Sequence, residues 1–177
     1  MARAFEQGEQ VIVPLQGRGV VTSVEKLTLP GGGQETCYVV ALEGRKGGRV
    51  VIPASRLSDY GLRQPMSGEE AQEAMSELNL PMKEEAEADQ PSQTDLYRSL
   101  KDDLRTGQAR SLARVVRRLY IFGLNNAVTD VHLKELERHA WGELINELAE
   151  AERATKANVQ RTVRSALKSA TPQEFLR

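Results

Sequence analysis

The residues able to do chemistry fall into a few small groups. Arg110, Arg114 and Arg117 recur at i, i+4 and i+7, so on a helix they share one face. Arginines so placed can grip phosphates or carboxylates. Arg98, Lys101 and Arg105 extend the patch if two helices pack side by side. Asp102 and Asp103 are the only acids between Arg98 and Arg118. Like charges along one stripe cost helix stability. An anionic partner is therefore the functional expectation, and a solvated face the plain one. His132 and His139 could ligate a metal with Glu135, but the H-E-x-x-H spacing is absent. Surface or half-buried histidines are expected instead. Cys37, the single cysteine, has no basic neighbour to lower its pKa and reads as structural. A lone cysteine makes no disulfide within the chain and no cysteine zinc site.

Gly17-Arg18-Gly19 lacks the Lys-Ser/Thr pair and following helix of a phosphate-cradling loop. A turn or bulge is expected there. Trp141 repeats with Leu133, Leu144 and Leu148 at helical spacing, which predicts a core tryptophan. No nucleophile stands beside an oriented histidine. An enzyme is not expected, nor a cofactor, a metal or a small-molecule substrate.

The elements that carry these groups divide the 177 residues in two. Residues before about 64 are rich in Val, Gly and Thr, and those after about 67 in Ala, Leu, Glu and Arg. This predicts an α+β chain: a small, strongly bent β module over 1–64 and an all-α module over 65–177. Strands are expected at Val11 to Val13, Gly19 to Lys26, Glu35 to Leu42 and Arg49 to Ile52. Hairpin turns fall at Pro30 to Gly33 and Gly44 to Gly48. Ser67-Gly68-Glu69-Glu70 matches a capping box and opens a helix to about Asn79. Residues 82–92 read as an acidic, mobile linker or frayed segment. Further helices follow, one from Ser92 or Thr94 to Gly107 and one over Ala109 to Phe122. Another runs from Thr129 to about Arg153, and the last from Thr155 to about Ser169. The net charge is -1, but acids cluster before Asp95 and cations after Arg98. There is no secretory pattern at the start and no apolar run fit to span a bilayer. A cytoplasmic protein with no membrane partner is expected.

The ordered set Phe5, Gly8, Val11, Pro14, Gly17, Tyr38, Pro53 and Gly61-Leu62-Arg63 resembles the CarD family. That family shares its barrel with a module of transcription-repair coupling factors. The helical half is similar too, through Tyr97-Arg98, Leu104, Gly107, Ala113-x-Val115-Val116-Arg117-x-Leu119 and Glu143-Leu144. The resemblance implies a Tudor-like barrel that binds the RNA polymerase β subunit by β-augmentation. It also implies a helical domain at the upstream edge of the promoter bubble, where a tryptophan wedges into the minor groove. Aligned on Tyr97, that tryptophan falls at Gln93, and neighbouring basic positions become Asp95 and Leu96. The family's basic polymerase contacts fall on Leu27 and Val51, beside Lys26 and Arg49.

The function expected is that of a bacterial transcription regulator that modulates open-complex stability. Lys26, Leu27, Tyr38, Arg49 and Val51 would meet the polymerase β subunit. Arg98, Lys101, Arg105, Arg110, Arg114 and Arg117 would meet promoter DNA, mainly its phosphates. The alternative is an adaptor that binds polymerase or a repair factor without wedging DNA.

Overall fold

The computed structural model describes residues 4–28, 33–44 and 48–176. Its chain contacts separate two compact units, Met1–Pro65 with Arg105–Gly107, and Met66–Leu104 with Gln108–Arg177. An antiparallel four-stranded sheet comes first and helices follow, so the α+β reading holds at that level.

The strands are β1 (Gln10–Val13), β2 (Gly17–Thr28), β3 (Gln34–Leu42) and β4 (Arg49–Pro53), hydrogen-bonded in chain order. Alternation sends Val11, Val13, Val21, Tyr38, Val40, Leu42 and Ile52 into one apolar cluster with Phe5 and Leu57. The Phe5 and Tyr38 rings meet edge to face at 6.0 Å. Gly19 lies inside β2, in line with the strand expected from Gly19 to Lys26, and marks no turn or bulge. A Cβ there would come within 2.6 Å of the Ala41 carbonyl oxygen and of Val40 Cγ1. Only glycine lets β2 and β3 close up at this point. The bulge falls later, between Val21 and Ser23, where the register slips past Thr22. Pro30 to Gly32 of the first expected hairpin turn and 45–47 of the second lie outside the described residues.

After a 3-10 turn at Ala54–Arg56 and a short α1 (Leu57–Tyr60), the helical unit holds six helices among the described residues. These are α2 (Gly68–Leu78), α3 (Lys83–Glu87), α4 (Gln93–Arg105), α5 (Ala109–Asn125), α6 (Val131–Ala151) and α7 (Lys156–Ala170). The Ser67 hydroxyl accepts from Glu70 N–H while the Glu70 carboxylate accepts from Ser67 N–H, the expected capping box. Thr155 caps α7 as expected, through Asn158 N–H. The cap of α6 is Asp130, which accepts from Leu133 N–H, one residue beyond the expected Thr129.

Leu112, Leu133, Leu144, Leu148 and Leu167 are buried to 2% or less. Each contributes about 1.5–3 kcal/mol relative to exposure. Within the 82–92 segment, Lys83–Glu87 form α3, while 88–92 carry no helix or strand. Met82 and Ala86, one helical turn apart, are both buried, and Met82 N–H donates to the Ala170 carbonyl at 3.0 Å. Two apolar anchors outweigh the polar composition around them. Trp141 is half-buried rather than a core residue.

Candidate functional site

The arginine stripe of α5 converges on one carboxylate. Glu77 of α2 is 3% exposed. Arg110 Nε donates to its Oε2 at 2.7 Å, Arg117 Nη1 to Oε1 at 3.4 Å and Arg114 Nε to Oε1 at 3.5 Å. Arg117 Nη2 reaches the Pro81 carbonyl at 2.9 Å and the Glu85 carboxylate at 2.9 Å. Burial pushes the Glu77 carboxyl up. The hydrogen bond from Arg110 and the charges of Arg114 and Arg110 outweigh that and hold it below the ordinary 4.5. The cluster therefore joins α2, α3 and α5 as an internal ionic network.

This corrects the reading of Arg117 as a DNA contact. Its side chain is 5% exposed and spent on Glu77, Glu85 and Pro81. Helical periodicity had set the arginines opposite the apolar face of α5. But α5 contacts α2, α3 and α6, so its polar side also meets protein. Arg110 and Arg114 keep half-exposed side chains beside Glu77. Arg98 is exposed and lies 3.5 Å from Asp95. Lys101 sits over the Tyr97 ring at 5.4 Å. Arg105 is exposed. Arg118, next in line, binds Asp103 at 2.8 Å and Ser99 at 3.0 Å. Most of this basic run is thus balanced by acids within its own unit.

Gln93 stands where the resemblance put a wedge. Its amide nitrogen donates to the Ala127 carbonyl at 3.2 Å and the Thr129 hydroxyl at 3.0 Å. Its amide oxygen accepts from Thr129 N–H at 3.0 Å and Asp130 N–H at 2.8 Å. Both donors are used and the oxygen takes two partners. The side chain clasps the start of α4 to the turn that opens α6.

The five expected polymerase contacts split across the sheet. Register pairs Val24 with Tyr38, Ser23 with Val39, and Val39 with Val51. Leu27, Arg49 and Val51 therefore share one face, where a groove of 530 Å³ runs beside Val39 and Thr22. Lys26 points to the other face, with Val24. Tyr38 is 5% exposed in the sheet's core. Its side chain packs on Phe5 and is withdrawn from the contact set.

The open strand segments are also specific. β1 pairs β2 only from Gly17 to Val20. Among the described residues, no strand flanks Ser23–Thr28 on the side away from β3. Val24, in that stretch, is 41% exposed. The free side of β1 is closed instead by Arg63, whose carbonyl takes Ile12 N–H at 2.7 Å.

Cys37 is buried, and burial followed by the Glu35 charge pushes its thiol up. That fits a structural residue. His132 lies against Tyr97, with ring centroids 5.9 Å apart. No group of three metal-ligating side chains occurs among the described residues, and no described helix is long and apolar enough to cross a membrane.

No family model matches the chain, and no curated protein matches it.

The Glu77 network escaped sequence reasoning because its partners lie 33 to 40 positions apart. One local signal was present. Glu77 stands three residues after Ala74 and one before Leu78, on the apolar face of α2. An acid on such a face needs a cationic partner.

Proposed function

We propose that this chain is a CarD-type regulator that docks on the RNA polymerase β subunit through the open part of β2. The observation that carries the reading is the stretch Ser23–Thr28, which among the described residues pairs with β3 on one side and with no strand on the other, and along which Val24 and Lys26 are exposed. Such a stretch offers backbone donors and acceptors to a strand of another protein. The bent four-stranded sheet suits a Tudor-like barrel. Leu27, Arg49 and Val51 would flank the docked strand from the adjoining face. The helical unit would meet promoter DNA through Arg98, Lys101, Arg105, Arg110 and Arg114, as a bacterial cytoplasmic factor would.

The adaptor reading has one observation in its favour. Glu77, Glu85, Asp95 and Asp103 offset much of the stripe's charge, which weakens its pull on phosphates. Under that reading the sheet docks on polymerase or a repair factor and the helices hold another protein.

The test is binding of the full chain to core RNA polymerase, with Val24→Lys plus Lys26→Glu as the variant. The expected result is at least a tenfold loss of affinity (about 1.4 kcal/mol) with an unchanged melting temperature. Equal binding by the variant would remove the open segment of β2 from the dock.

A further inference from the structure

Four cations of the helical unit stay outside the ionic network. Lys134 and Arg138 lie on α6, and Arg164 and Lys168 on α7. All four are exposed, and none is ion-paired among the described residues. Lys134, Arg138 and Trp141 recur at i, i+4 and i+7, so they form one stripe of α6. Arg164 and Lys168 are one turn apart on α7, which packs against α6. The two stripes border one groove of 610 Å³.

Two aromatic side chains line that groove. Trp141 and Tyr120 are half-buried in it, and Leu167 is the only buried aliphatic side chain in the lining. The Arg164 guanidinium sits 5.8 Å from the Trp141 ring centroid, which holds the indole by cation–π attraction. Glu137 is the single acid in the lining.

We propose that this groove binds a segment of single-stranded nucleic acid. Phosphates would lie along the Lys134, Arg138, Arg164 and Lys168 rims, and an unpaired base would pack against the Trp141 surface. The balance of four cations to one acid demands an anionic occupant. Aromatic surface beside cations is the pairing that single strands use, because every base has a π-face and every linkage a charge. A duplex keeps its base faces stacked inside, away from a half-buried indole. An acidic amphipathic peptide needs aliphatic sockets for its anchors, and Leu167 alone provides little of one. The site is distinct from the α4–α5 stripe and does not rest on polymerase docking.

Trp141 is the only tryptophan, so its emission reports this groove directly. The full chain is titrated with an oligothymidine of about 12 nucleotides, at two salt concentrations. The parallel arms are a duplex and an oligoglutamate of the same charge. The expected result is quenching by oligothymidine, lost as salt rises, with at least tenfold weaker binding of the other two. Lys134→Gln with Arg138→Gln should weaken oligothymidine at least tenfold. It should also flatten the log–log salt slope by about 1.4, as two lost phosphate contacts require. Both positions are exposed, and circular dichroism checks that the variant is folded. Trp141→Phe, followed by anisotropy of a labelled strand, should weaken binding severalfold. The Val24→Lys plus Lys26→Glu variant should bind the strand as the parent does, which separates this result from the polymerase test. Absence of quenching at low salt, equal binding of oligoglutamate, or an unchanged salt slope in the double variant would each overturn the proposal.

Discussion

Replacing Glu77 by glutamine removes one charge and almost no volume. The side chain is 3% exposed and gathers Arg110, Arg114 and Arg117. Deleting one partner of a buried ion pair costs about 3–5 kcal/mol, because the other charge stays desolvated. Two features pull the value to the low end of that range. Arg110 and Arg114 have side chains 54% and 44% exposed and can turn to water. Arg117 keeps Glu85 at 2.9 Å. The expected loss is therefore about 3 kcal/mol. With a urea slope of about 2 kcal/mol per M, the midpoint falls by about 1.5 M. Far-UV circular dichroism of the helical signal measures it. Glu85→Gln is the internal comparison and should cost under about 1 kcal/mol, since Glu85 is 47% exposed. Exchanging Glu77→Leu together with Arg117→Met should recover much of the loss, as an apolar pair replaces an ionic one. The Glu77 carboxyl is held below 4.5 in the fold. Its contribution is then fully present above that value and lost as pH falls through the lowered one. The acid limb of a stability–pH curve should be flatter in Glu77→Gln. If that variant lost less than about 1 kcal/mol, Glu77 would not be what organises the stripe.

Gln93→Ala removes four hydrogen bonds to the 127–130 turn and leaves exposed backbone groups to water; a loss of about 1–3 kcal/mol is expected in urea unfolding. Cys37 is fully buried with its thiol pushed up, so a thiol reagent should react slowly with the native protein and rapidly in denaturant. Fast reaction in native buffer would contradict the burial.

Local signals were legible from the sequence wherever the physics is local. The capping box at Ser67 needs only residues 67–70, and the Thr155 cap only residues 155–158. Helical spacing puts Val159, Val163, Ala166 and Leu167 on one face of α7, and all four are buried. What failed depended on partners far along the chain. Arg117 is set to be a solvent-facing cation until α2 is laid against α5. Met82 and Ala86 look too sparse to anchor a helix until Ala170 supplies a backbone acceptor. Trp141 fits the apolar spacing of α6, yet lies at the border of its buried face, among cations from a second helix. The family resemblance sets Tyr38 among the polymerase contacts, whereas strand alternation turns it inward. The face shared by Leu27, Arg49 and Val51 follows from the pairing register, which no single strand reveals.

The Gln93 clasp bears on which sequences can descend from this one. A tryptophan substituted at this position would bring an indole but forfeit the partners of Thr129 N–H and Asp130 N–H, beside the cap of α6. The first step of such a change would lower stability before any new contact existed to select it. Position 93 is in that sense entrenched. The glutamine and the 127–130 turn form one heritable unit, and a lineage leaving it has to rebuild the opening of α6 along with the side chain.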